Sequence, residues 1–181
     1  LKILYQKQNQ ERKRRKNKEA TIMWKEIIEE IRNILAKYKE ELNAGCSEQL
    51  IAEFQDEIYE NFNYYTPNEY LSFLKYVNGL NFNGLVIYGI DDFIIDNGTN
   101  QNEDTGFIES NELWYENEWL KIYIFFGHSS ITWYCYDVEN KIYLELDKPS
   151  GSKGREYNSF DELLDKALFD ALPSESKKKF M

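Results

Sequence analysis

Histidine occurs once, as His128, and cysteine twice, as Cys46 and Cys135. One histidine and two well-separated thiols supply neither a zinc ligand set nor a disulfide scaffold. No apolar, export-type segment opens the chain, so both cysteines are expected to be free thiols in a reducing cytoplasm. No apolar run approaches the roughly 20 residues of a membrane-spanning helix. Lysine and arginine are absent from Tyr76 to Leu120. The whole chain carries a formal net charge of −10. That balance disfavours nucleic acid as the main partner, because phosphate binding needs a basic surface. Hydrophobic residues still make up 42% of the 181. This is enough for a core and argues against wholesale disorder. The length suits one domain, or one with an appendage.

The charge is unevenly spread. Residues 1–22 hold eight basic and two acidic side chains, a net +6, whereas Met23 onward carries 14 basic against 30 acidic, a net −16. Residues 1–22 are therefore expected to be a basic extension outside the fold, disordered or untranslated. The second alternative has a specific ground. Lys18-Glu19-Ala20 can be encoded by AAGGAGG, a bacterial ribosome-binding sequence, and Met23 follows at initiation spacing. Abundant Lys, Asn, Ile, Tyr and Phe fit the AT-rich codons of a low-GC bacterium.

From Met23 the apolar period is helical. Trp24, Ile27, Ile28, Ile31, Ile34, Leu35, Tyr38 and Leu42 recur at spacings of three and four. Gly45 and Cys46 break the pattern, and Ser47 is placed to cap a second helix carrying Leu50, Ile51, Phe54 and Ile58. Thr66-Pro67-Asn68-Glu69 reads as a capping box with proline at the first helical position. The helix it opens stops at Asn78-Gly79. The period then changes to two, and Leu85–Ile90, Lys121–Phe126, Ile131–Asp137 and Lys141–Leu146 read as strands. Gly127-His128-Ser129-Ser130 and Glu139-Asn140 read as hairpin connections, and residues 149–154 as a loop. Ser159-Phe160-Asp161-Glu162 opens a final helix. Residues 23–172 are thus expected to form the domain and residues 173–181 a frayed basic tail. Helices, then consecutive strands, then a helix predict an α+β fold. Its antiparallel sheet of about four to six strands is flanked by N-terminal helices and a C-terminal helix.

The stretch from Tyr76 to Leu120 holds Asp91, Asp92, Asp96, Glu103, Asp104, Glu109, Glu112, Glu116 and Glu118, with Trp114, Tyr115 and Trp119 among the last of these. Such a surface repels nucleic acid and speeds encounter with a basic partner. Exposed Trp and Tyr are common binding anchors. The ordinary alternative is a solubilising loop whose aromatics fold into the core. Asp96-Asn97-Gly98 fails as a calcium loop, because the first and third ligand positions would be Phe93 and Ile95. His128 beside Ser129 and Ser130 is too close in sequence for a triad and reads as a turn histidine. Cys135 lies in a strand interior, where a thiol is inert packing. Gly151-Ser152-Lys153-Gly154 lacks P-loop order. No constellation specifies catalysis, and no cofactor or metal is implied.

Thr66-Pro67-Asn68-Glu69-Tyr70-Leu71-Ser72-Phe73-Leu74, followed by Asn78-Gly79, resembles the signature of the SUKH superfamily (the Smi/Knr family). The run from Gly79 to Ile90 is similar to its YrhA-like branch. Glu112-Leu113-Trp114, Phe125-Phe126-Gly127, Tyr134-Cys135-Tyr136-Asp137, residues 146–151 and residues 159–164 follow in family order. The resemblance spans Trp24–Leu172. His128-Ser129-Ser130 departs from the acidic, glycine-rich pattern of relatives, so no role carries over to that turn. The resemblance implies an α+β fold and no catalytic centre. For bacterial members it implies an immunity protein that neutralises a toxin domain, often a nuclease. The expectation is then a non-catalytic cytoplasmic protein that blocks the basic surface of a toxin, with no direct nucleic-acid or membrane partner. Contact is expected through Asp91, Asp92, Asp96, Glu103, Asp104, Glu109, Glu112, Trp114, Glu116 and Glu118, with Trp119 and Trp133 in the core. The alternatives are a regulatory scaffold module without a toxin, and a hydrolase using paired acids.

Overall fold

A computed structural model describes residues 23–95 and 106–181. The expectations for residues 1–22, and those for Asp96, Glu103 and Asp104, lie outside the described residues. The first helix, α1, occupies 23–36. It buries Trp24, Ile27, Ile28 and Ile31 completely. It ends earlier than its apolar period suggests. Lys39 takes a left-handed conformation with φ of 63°. Glu40 N–H bonds Leu35 C=O at 3.1 Å and Lys39 N–H bonds Ala36 C=O at 3.2 Å. This is a Schellman stop built on lysine rather than glycine, and it leaves Tyr38 72% exposed.

Ser47 Oγ accepts from Leu50 N–H at 3.2 Å and opens α2, Glu48–Phe62. Helix α3, Asn68–Tyr76, starts differently from expectation. Pro67 is its cap, and no side chain bonds its first amides. Thr66 instead donates its hydroxyl to Gln55 Oε1 at 2.9 Å, tying the α2–α3 corner. A hairpin follows, β1 (Leu80–Phe82) and β2 (Leu85–Ile87). Next come α4 (Phe107–Trp114), a 3-10 turn (Glu118–Leu120), β3 (Tyr123–His128) and β4 (Thr132–Asp137). The chain continues through β5 (Ile142–Asp147), β6 (Lys153–Tyr157), α5 (Phe160–Ala171) and α6 (Ser174–Lys177). The six strands form one antiparallel meander in sequence order. The fold is α+β with helices before and after the sheet. Strands β1 and β6 were not read from the sequence. The tail read as frayed is tied down: Ser176 Oγ donates to Glu30 Oε1 at 2.7 Å and Lys179 Nζ bonds Glu30 Oε2 at 2.6 Å. Among the described residues, no helix is long and apolar enough to cross a membrane.

The main core lies between the sheet and helices α1, α3 and α5. Tyr70 is its hub, with ring centroids 5.0 Å from Phe126, 5.3 Å from Phe160 and 5.5 Å from Phe107. Its hydroxyl donates to Tyr88 C=O at 2.8 Å. Trp24 ties α1 to α5 by donating from Nε1 to Asp161 Oδ1 at 3.1 Å.

A β-bulge in β3 decides what each face of the sheet presents. Phe125 pairs with Cys135, and the register shifts so that Gly127 meets Tyr134 and His128 meets Trp133. Phe126 and Gly127 therefore both face the helices, and His128 is turned to the opposite face. Gly127 also sits tightly against β2. A Cβ there would lie 2.3 Å from Val86 C=O. Gly127→Ala is expected to push β2 off β3 and cost roughly 1–3 kcal/mol. In thermal melts this lowers Tm by about 2–4 °C for each kcal/mol. An unchanged Tm would show that the strands part without cost.

Candidate functional site: an acidic groove between two helix ends

Helices α2 and α4 end side by side at the start of β3. Neither has a basic residue in its last turn. Both carry an acid near it instead, Glu60 in α2 and Glu112 in α4. The last carbonyls of a helix carry partial negative charge, so a cation is the stabilising choice there. Two neighbouring helices that both take the unfavourable choice concentrate negative potential in one place.

A groove of about 890 Å³ opens at this point. Glu60, Glu112, Glu116 and Glu139 line its rim, and Phe62, Tyr64, Tyr115, Ile122, Ile124 and Val138 provide apolar surface. Ile122 and Val138 are partly open to solvent. Lys121 also lines the groove, but its ammonium lies 2.6 Å from Glu118 Oε1. The local charge is therefore strongly negative. Tyr115 is held by its hydroxyl, which donates to Tyr123 C=O at 2.6 Å.

The structure sorts the acids that the sequence offered as one set. Glu112 and Glu116 line the groove, and Glu118 holds its lysine. Glu109 is exposed on α4 and Asp92 is half-buried. Asp91 is a correction, because it is fully buried. Its carboxylate accepts from Ile108 N–H and Glu109 N–H at 2.9 Å each, satisfying the first amides of α4. Burial pushes it up to about 6, with those amide bonds opposing the rise. Its work is to anchor α4, and a partner cannot reach it. Trp114 is half-buried, with its indole Nε1 donating to Tyr88 Oη at 2.9 Å. Trp133 is buried, but Trp119 is 50% exposed instead of lying in the core. Its ring lies over Gly151, where a Cβ would come within 2.5 Å of it. Glu60 and Glu139 were missed. Their signal is local: an acid in the last turn of a helix, and another in the hairpin turn at residues 138–141.

The reactive side chains are poorly set for chemistry. Burial raises the Cys135 thiol well above its ordinary range and the Cys46 thiol to about 12. Burial, with Lys148 nearby, lowers His128 to about 4. Among the described residues, no three His, Cys, Asp or Glu side chains are grouped to hold a metal ion.

The helix-backed antiparallel meander is an α+β domain that carries an acidic, partly apolar groove. Residues 45–166 match the sequence model of the SMI1 / KNR4 family (SUKH-1), and the chain belongs to that family. Among curated proteins none matches the chain significantly. The matched stretch contains every residue of the groove.

Proposed function

We propose that the protein is a non-catalytic, cytoplasmic immunity protein that captures the basic surface of a toxin domain in its acidic groove. The observation that carries this reading is the convergence of two acid-bearing helix ends on exposed apolar surface. Carboxylates speed the approach of a basic partner, and apolar contacts inside the groove slow its departure. A nuclease needs a basic cleft for its phosphates, and a rim of carboxylates competes for that cleft. Family membership supports the reading, since immunity proteins are numerous among bacterial relatives. The exposed Glu109 and the half-buried Asp92 add further negative charge outside the groove lining. Asp96, Glu103 and Asp104 belong to the proposal by sequence alone.

The test is co-expression with the C-terminal domain encoded by the adjacent gene. Rescue from growth arrest and a salt-sensitive complex are the expected results. Glu112→Lys with Glu116→Lys is expected to slow association about 10-fold or more and to flatten its salt dependence. The melting temperature should stay almost unchanged, because both positions are exposed. Rescue that survives the double reversal would move the contact elsewhere. Absence of any toxin partner would favour a regulatory module of the Smi/Knr type.

A further inference from the structure

The sheet face turned away from α3 and α5 carries a different constellation. His128, Trp133 and Leu146 are in register across β3, β4 and β5, and Lys148 follows two residues later. Trp114 packs onto this face, 5.3 Å from Trp133 and 5.8 Å from His128 between ring centroids. Lys148 Nζ lies 5.1 Å from the centre of the Trp114 ring and 5.9 Å from that of Trp133. It donates one hydrogen bond, to Ser129 C=O at 3.1 Å. Among the described residues it has no carboxylate in ion-pair range. The adjacent Asp147 is engaged in its own turn by Ser150 N–H at 3.0 Å and Ser150 Oγ at 2.6 Å.

Two further facts bear on what this place accepts. Trp133 is 6% exposed, and its indole N–H is buried with no acceptor. His128 Nδ1 is taken by Tyr88 Oη at 2.9 Å, which also receives the Trp114 indole. What a ligand can reach at Lys148 is therefore donor capacity, the Trp133 N–H being sealed from solvent. A lone half-buried ammonium in an acidic protein calls for an anion, and a single cation cannot balance a polyanion or a phosphate dianion. We propose that Lys148, framed by Trp114 and Trp133, is the receptor for one carboxylate of a ligand or partner. This site is independent of the acidic groove and of the function proposed for it.

Indole ¹H–¹⁵N signals of the full chain provide the readout, because two of the site's walls are tryptophans. The probes are N-acetyl-glutamate amide, its glutamine counterpart and acetate, each titrated at constant ionic strength with chloride. The glutamate compound is expected to move the Trp114 and Trp133 signals saturably, in the millimolar range that one charge pair allows. The glutamine compound should leave them unmoved. Acetate acting at the same midpoint assigns the site to any small carboxylate. Acetate acting only at far higher concentration assigns it to an acidic side chain. Lys148→Met removes the charge and keeps an unbranched stem over the rings. It is expected to abolish the response, whereas Lys148→Arg retains it. Equal shifts from the glutamate and glutamine compounds, no shift from either carboxylate, or an unchanged response in Lys148→Met would overturn the proposal.

Discussion

Asn111→Ala is expected to destabilise the domain by roughly 2–5 kcal/mol, a loss large enough to unfold a marginal protein. Asn111 is fully buried, and its side chain completes a sheet edge. Strand β2 pairs with β3 only at Gly127 and His128, so the backbone of Phe125 has no strand on that side. The amide of Asn111 takes the missing strand's place. Nδ2 donates to Phe125 C=O at 2.9 Å and to Phe107 C=O at 2.8 Å, and Oδ1 accepts from Phe125 N–H at 2.8 Å. Alanine strands two backbone groups of Phe125 in the core, each costing about 1–3 kcal/mol when unsatisfied. Asn111→Asp keeps the acceptor but loses both donors and buries a charge, so it should be no better at neutral pH. Urea unfolding curves measure the loss. Hydrogen exchange at Phe125 should rise with it, because α4 no longer covers that amide. A loss below about 1 kcal/mol would mean that water replaces the amide without strain.

Asn111 also shows where a linear reading stops. The sequence places it in an acidic stretch, with nothing to link it to a strand 14 residues later. Ser47 and Ser159 were legible as caps because their partners are three residues away, and both bonds form, each at 3.2 Å. Thr66 has the same local pattern, yet Gln55, 11 residues earlier, takes its hydroxyl. The strands with one buried and one wet face were legible. Edge strand β6 was not, since Lys153, Gly154, Arg155 and Glu156 are all exposed and leave no alternation. The same limit governs the site. Composition exposes the run of acids, but Asp91 and Glu112 look alike until tertiary contacts bury one and expose the other. Glu60 and Glu139 join Glu112 only because α2 and the β4–β5 turn meet at the start of β3.

Asp165→Asn is expected to make the protein more stable, increasingly so as the pH rises. Asp165 is 5% exposed, and its Oδ1 is buried without a hydrogen-bond partner. One helical turn earlier, the buried Asp161 accepts from the Trp24 indole. Burial, then the charge of Asp161, push Asp165 up to about 8, while a bond from the Trp24 backbone amide opposes the rise. The unfolded carboxyl titrates near 3.9. Between that pH and about 8 the folded state binds a proton that the unfolded chain has released, so wild-type stability falls as pH rises through this window. Asparagine has no such proton to hold. It keeps an oxygen for the Trp24 amide and offers a donor on the side of Asp161. The two proteins should differ little near pH 4, apart from a constant offset. The gap should then open by up to about 1.4 kcal/mol for each pH unit through that window and level off above about pH 8. Urea midpoints of the pair, measured in parallel from acid to mildly alkaline pH, isolate this linkage, because the other titrating groups are common to both. A pH-independent gap would show that Asp165 stays ionised in the fold, and its buried oxygen would then need a cation or water to satisfy it.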